Sequence, residues 1–207
     1  DGSVLWAARE LAPRGVPMVG VNLGKLGFLA RYSLEEVVEE MPAMLAGEHP
    51  PSEWLMLEVQ TEGEDGRLDS LALNDVVLTG AQPARMVHIR LEVDGEPVTT
   101  YAGDGLVVST PAGSTAYSLS AGGPIVHPLL EAMVVTPICA HSLSNRPLVV
   151  PPEAELVVTL TGRGPRGMLT ADGQQSVAVA CGQPVRVRRA GVRARLFTIG
   201  SRTYYQT

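Results

Sequence analysis

The chain has 207 residues, 45% of them hydrophobic and 18% charged, which is enough apolar surface to fold and too little charge for a disordered polymer. Its formal charge of −6 argues against a nucleic-acid partner, because binding along a phosphate backbone needs clustered Lys and Arg to displace counterions. Cys139 and Cys181 stand in no CxxC or Cys/His spacing, which argues against a disulfide framework or a structural zinc site and for reduced core thiols. No apolar run reaches the roughly 20 residues of a membrane span, so no membrane partner and a cytoplasmic location are expected.

In chain order, Asp1-Gly2-Ser3 reads as a loop entering a helix, and Val4, Leu5, Ala8 and Leu11 keep helical spacing until Pro13 and Gly15 stop it. A strand usually precedes such a loop, so a first strand-and-helix layer is expected upstream of Asp1. Residues 17–21 read as a short apolar strand, giving an αβ unit of the kind that builds parallel sheets. Gly24 and Gly27 then allow a backbone turn to pass close to a ligand or another segment. Ser33 and Glu36 form a capping box, and Leu34, Val37, Val38, Met41 and Leu45 form one apolar helix face ending at Gly47.

After His49-Pro50-Pro51 the pattern changes, and the domain boundary is placed there. Strands are predicted at 55–61, 71–78, 86–93, 98–101, 106–109, 156–160, 176–180, 185–189 and 196–199. The clearest alternation is Val87, Ile89, Leu91 and Val93, leading into an Asp94-Gly95 hairpin turn. Arg186, Arg188, Arg189, Arg193 and Arg195 alternate with apolar residues and read as the solvent face of two strands. The fold class expected is an incomplete α/β N-terminal part followed by a larger all-β, sandwich-like domain.

Four places carry polar residues or glycines that packing does not demand. Asp1-Gly2 lies at a helix start, where amides and the positive end of the dipole favour phosphate, although an ordinary N-cap is the more frequent use of Asp. Asn74-Asp75 interrupts an apolar strand, so a bulge or a ligand must satisfy it; an amide beside a carboxylate suits a ribose diol, and the two readings stand level. Gly103 to Pro124 packs hydroxyls and small residues around Tyr117, whose ring can lie against a base, and points to a nucleotide. Asp172-Gly173-Gln174 reads as a hairpin turn. His88, His127 and His141 show no metal-ligand spacing. GxSxG, Walker A and a strand-borne GxGxxG are absent, which leaves a serine hydrolase and those two nucleotide sites unsupported.

Taken together, Asp1-Gly2-Ser3, VNLGKLGFLA at 21–30, LNDVVL at 73–78, GDGLVVSTPAGSTAYSLSAGGPIVHP at 103–128 and DGQ at 172–174 resemble the NAD kinase family. The resemblance implies phosphoryl transfer from ATP, or inorganic polyphosphate, to the 2′-hydroxyl of the adenosine ribose of NAD, with a divalent ion, normally magnesium, accompanying the donor. It implies that residues 1–50 are the remainder of an N-terminal α/β nucleotide-binding domain. Residues 51–207 would be a β-rich NAD-binding domain whose last segment packs back on the first, and the assembly a homodimer or homotetramer. Asp1 would be the base or orienter of the hydroxyl, and Gly2 would lie against the phosphates. Asn74, Asp75 and Asp104 would contact NAD, Thr115, Ala116, Tyr117, Ser118, Leu119 and Ser120 would surround it, and Arg85 and Gln174 would touch ligand. No residue is assigned to a metal. A non-catalytic NAD(H)-binding module, or an inactive fragment of the kinase, is the alternative.

Overall fold

The computed structural model describes residues 1–24, 27–63, 66–82, 86–141, 146–162 and 166–199. The chain falls into two compact units, Asp1–Trp54 with Val192–Thr207 and Leu55–Gly191. Among the described residues no helix is long and apolar enough to cross a membrane.

In the first unit, α1 (Gly2–Leu11) buries Leu5 and Ala8 and ends through a 3-10 turn, Ala12–Arg14, at Gly15. Helix α2 (Leu34–Ala46) opens with the expected capping box: the Ser33 hydroxyl accepts from the Glu36 amide at 3.2 Å, and the Glu36 carboxylate accepts from the Ser33 amide at 2.8 Å. Its buried stripe is narrower than the sequence predicts. Val37 and Met44 are buried, joining Tyr32 and Ile199 in a small core, whereas Leu34, Val38, Met41 and Leu45 are exposed. The strand expected over 17–21 is reduced to two isolated parallel bridges, Met18 with Leu196 and Val21 with Tyr32. Gly20 packs so tightly on the Leu29 carbonyl that a Cβ would lie 2.5 Å from it, so the segment is held by close backbone approach.

The described residues form twelve strands: β1 (Ser52–Gly63), β2 (Gly66–Ala72), β3 (Asp75–Gly80), β4 (Val87–Val93), β5 (Glu96–Gly103), β6 (Gly105–Ser109), β7 (Met133–Ile138), β8 (Leu148–Val150), β9 (Leu156–Thr161), β10 (Gly167–Ala171), β11 (Gln175–Val179) and β12 (Pro184–Leu196). They make two six-stranded antiparallel sheets, ordered β2-β1-β12-β9-β4-β5 and β11-β10-β3-β6-β7-β8. One large core takes residues from both, including Leu57, Ile89 and Leu160 from the first sheet and Val76, Leu106 and Leu169 from the second. Burial of that shared face is the main stabilising term. The fold is thus a short helical N-terminal part and a larger β-rich part, the class expected.

Single strands differ from expectation for local reasons. The predicted strand 71–78 is two, β2 and β3, with a break at Leu73-Asn74. The predicted strand 185–189 runs on as the single strand β12 to Leu196, because Gly191 stays extended instead of turning, and residues 197–199 lie beyond it. The five arginines fall on that one strand, Arg186 and Arg188 in one phase of its alternation and Arg189, Arg193 and Arg195 in the other. Strand β7 was hidden by Pro137, which opposes Leu106 inside the second sheet. The five-residue β10 and three-residue β8 also escape the pattern. The hairpin at Asp94-Gly95 forms as read, with φ of +53° and +82° as a type I′ turn requires. Of the two cysteines, Cys139 is exposed instead of buried, while Cys181 packs against the large core.

Candidate functional site

Strand β3 divides its side chains by alternation. Val76 and Leu78 enter the large core, while Asp75, Val77 and Thr79 share the opposite face. That face is covered by the segment after β6: Val77 and Val107 pack with Ile138 and Ala121. Between the cover and the sheet lies a cleft of about 360 Å³, with Asn74, Asp75 and Thr79 from around β3, Ala116 and Tyr117 from the cover, and Thr170, Asp172 and Gly173 from the β10–β11 hairpin. Asp75 is buried at 6% exposure. Burial pushes its carboxyl up to about 7, and the neighbouring Asp172 carboxylate adds to the rise.

The covering segment is built on buried hydroxyls. Thr110 donates through Oγ1 to the Leu73 carbonyl at 2.6 Å and through its amide to the Asn74 carbonyl at 2.9 Å. Its Oγ1 also accepts from the Gly113 amide at 3.0 Å. Gly113 lies against Asn74 so closely that a Cβ would stand 2.0 Å from the carbonyl oxygen. Ser114, fully buried, accepts from the Val126 amide at 2.9 Å and so closes the segment at its far end. The segment holds a 3-10 turn, Ala112–Thr115, and a single turn of helix, α3 (Tyr117–Ser120). Tyr117 is exposed at the cleft edge, and Leu119 and Ser120 are exposed too. Ser118 differs: it is fully buried, and its hydroxyl pairs with Thr136 at 2.9 Å, so it supports the turn from beneath. Thr115 bonds back to the Ala112 carbonyl at 3.1 Å.

In the first unit, Asp1 occupies the N-cap position of α1, yet its side chain caps nothing there. Its carboxylate instead accepts three successive amides: Oδ2 from Phe28 at 3.0 Å, and Oδ1 from Leu29 at 3.0 Å and Ala30 at 3.1 Å. Gly27 is what lets the turn close, since a Cβ there would lie 2.3 Å from Oδ1. A carboxylate offers about four acceptor positions, so among the described residues one on Oδ2 stays available. Gly2 begins the helix and is exposed.

The structure gathers Asn74, Asp75, Ala116 and Tyr117 at one cleft. Gln174 is exposed beside it, on the turn that contributes Asp172 and Gly173. Asp104 lies elsewhere. The register pairs Asp75 with Ser109 and Thr79 with Gly105, so Asp104 sits at the other end of these strands, roughly 17 Å along at ~3.4 Å per residue. There it accepts from the exposed Cys139 thiol and raises that thiol's pKa. Arg85 lies outside the described residues. Asp172 is the residue that sequence reasoning missed, since its Asp-Gly turn accounted for it fully; φ of +51° and +63° confirm the turn. A larger cleft, about 520 Å³, is lined by Gln60, Arg67 and Arg186 among others; none of the expected site residues borders it, and Arg67 is already paired with Asp69 at 2.8 Å.

The chain as a whole is similar to known proteins. The model of the ATP-NAD kinase C-terminal domain matches residues 73–198, beginning at the loop that carries Asn74 and Asp75, and that of the ATP-NAD kinase N-terminal domain matches residues 1–49. The chain belongs to the NAD kinase family. It is 45% identical to an NAD kinase of Moorella thermoacetica over 99% of this chain and 66% of that protein. Among solved structures it is similar to yeast NADH kinase complexed with NADH, with a TM-score of 0.87 and 29% identity over 100% of this chain and 60% of that one. An NAD kinase from Archaeoglobus fulgidus in complex with ATP matches at a TM-score of 0.75 and 30% identity, over 88% of this chain and 69% of that one. The chain thus spans about two thirds of the length of these family members.

Proposed function

We propose that the full-length protein phosphorylates NAD, transferring a phosphoryl group from ATP to the 2′-hydroxyl of the adenosine ribose to give NADP. The observation that carries this reading is the convergence of Asn74, Asp75 and Tyr117 on one cleft in a chain whose two parts both match NAD kinase domains. Asn74 and Asp75 bind a ribose of NAD, the amide accepting or donating as the carboxyl group requires, and Tyr117 lies against a ring. Ala116 and Thr115 shape the wall, Leu119, Ser120 and Gln174 border it, and Ser118 holds the turn beneath.

Phosphoryl transfer asks for positioning and charge stabilisation more than covalent chemistry from the protein. The 2′-oxygen forms the new P–O bond as the bond to the β-phosphate breaks and ADP leaves. Asp1 orients the hydroxyl and takes its proton at Oδ2, and Gly2 lets the donor phosphates approach the start of α1. Among the described residues no group of three or more His, Cys, Asp or Glu could hold a metal. The proposed divalent ion, normally magnesium, accompanies the donor's phosphates. Inorganic polyphosphate is the alternative donor. A homodimer or homotetramer is the proposed assembly, with the exposed Ile125, Leu129 and Leu130 offering apolar surface for it.

Incubating the full-length protein with ATP, magnesium and NAD tests the reading directly. NADP should form, and Asp1→Asn should abolish turnover while NAD still binds. Full turnover in that variant would remove Asp1 from the chemistry, and NAD binding without any NADP from the parent would make the protein a non-catalytic NAD(H)-binding module.

A further inference from the structure

The loop that carries Asn74 and Asp75 has every one of its backbone groups engaged, and two residues engage them all. The amides of Leu73, Asn74 and Asp75 donate to the Asp172 carboxylate, to Oδ2 at 2.9 Å and to Oδ1 at 2.8 and 3.2 Å. The carbonyls of Leu73 and Asn74 accept from Thr110, and the carbonyl of Asp75 accepts from the Asp172 amide at 2.9 Å. With the backbone spent in this way and Leu73 fully buried, only the Asn74 and Asp75 side chains remain for a ligand. In a continuous strand the three amides would not converge on one carboxylate; they would alternate in direction along a ladder. The chain departs from that ladder at the very residues whose side chains line the cleft.

We infer that Asp172 is a positioning residue for the nicotinamide dinucleotide: it breaks the strand between β2 and β3 and fixes the backbone from which Asn74 and Asp75 reach the ligand. This rests on the NAD-binding reading of the cleft. Thr110 and the close approach of Gly113 hold the same loop from the carbonyl side, so the two side chains project from a peptide clamped on both edges. Asp172 can do this because it stands at the first position of a tight hairpin turn with a positive φ, which aims its short side chain back across β10 towards β3.

The same turn supplies a clean test. Asn tolerates a positive φ as well as Asp does, so Asp172→Asn keeps the hairpin while setting an NH₂ group against amide donors and deleting the charge. In the full-length protein this variant should raise the KM for NAD about tenfold or more while leaving the KM for ATP within about twofold, since loss of one charge-assisted hydrogen bond is enough for such a change. Thr110→Val, which removes the hydroxyl's bonds to the Leu73 carbonyl and the Gly113 amide but keeps the Thr110 amide on Asn74, should move the same KM in the same direction by less. A purely structural role would lower the melting temperature of Asp172→Asn and leave its KM for NAD within about twofold of the parent's; that result overturns the inference. Calorimetric titration with NAD keeps it apart from the kinase reading. If the parent binds NAD but makes no NADP, the kinase reading fails, and weaker NAD binding by Asp172→Asn still supports positioning. If the parent does not bind NAD at all, the inference falls as well.

Discussion

Two aspartates in this protein do the same thing with their backbone neighbours and opposite things with their side chains' surroundings. Asp1 and Asp172 each accept three successive amides, from residues 28–30 and 73–75. Around Asp1 the loop is the holder and the exposed carboxylate is the presented group. Around Asp172 the carboxylate is the holder, nearly buried, and the loop's own side chains are presented. The same cage therefore serves either to fix an acid or to fix what stands beside it, and burial decides which. A buried cage leaves a nearby second acid without solvent, which is why Asp75 is pushed up to about 7 while sitting next to Asp172.

The largest test of that difference is the pH dependence of stability. Asp75 has a folded-state pKa raised above the 3.8 of an ordinary aspartate, so its contribution is fully present below about pH 4 and is lost as pH rises through about 7. At a shift of this size the loss amounts to roughly 4 kcal/mol at most. Asp75→Asn should therefore gain on the parent as pH increases from 4 to 8 in denaturant titrations; a difference independent of pH would show that Asp75 titrates normally. Gly113→Ala is expected next, at about 3 kcal/mol and a fall in melting temperature of roughly 10 °C, because a methyl group cannot fit against the Asn74 carbonyl. An unchanged melting curve would mean that the clamp on the carbonyl side is loose.

Gly27→Ala probes the exposed cage. Its Cβ would displace the Asp1 carboxylate, which has room to swing away, so folding should suffer little while NADP formation falls about 100-fold from misplacement alone. Normal turnover would separate Asp1's orientation from catalysis. The smallest effect belongs to Asp104, whose carboxylate accepts a hydrogen bond from the Cys139 thiol. Asp104→Asn should lower the Cys139 thiol pKa, read as faster alkylation at pH 8, and leave NAD binding unchanged; a large loss of NAD affinity would bring Asp104 back into the dinucleotide's surroundings.

Local signals were readable where local physics decides the outcome. The Ser33–Glu36 box, the alternation in β4 and both type I′ turns involve residues within a few positions of each other, and each forms as the sequence predicts. Asn74, Asp75 and Tyr117 stood out for the same reason, as polar or aromatic residues where packing did not ask for them. What could not be read depends on distant partners. The break between β2 and β3 comes from a carboxylate 98 positions away from Asn74, Pro137 lies beyond the three residues of β7 that pair with β8, so among the described residues its ladder partner is in β6 alone, and Ser118 looks like any other hydroxyl in its run until Thr136 is placed beneath it. Asp172 was hidden by the sufficiency of its own turn: one job was visible in Asp-Gly, and the second required the fold.

That separation of 98 positions also sets a sequence of events. Until residue 172 has left the ribosome, the amides at 73–75 have only water to bond, and the loop has no reason to leave the strand. Closing so long a loop is slow compared with forming the hairpins on either side. The cleft at Asn74 and Asp75 is therefore complete only once the β10–β11 hairpin has docked against β3.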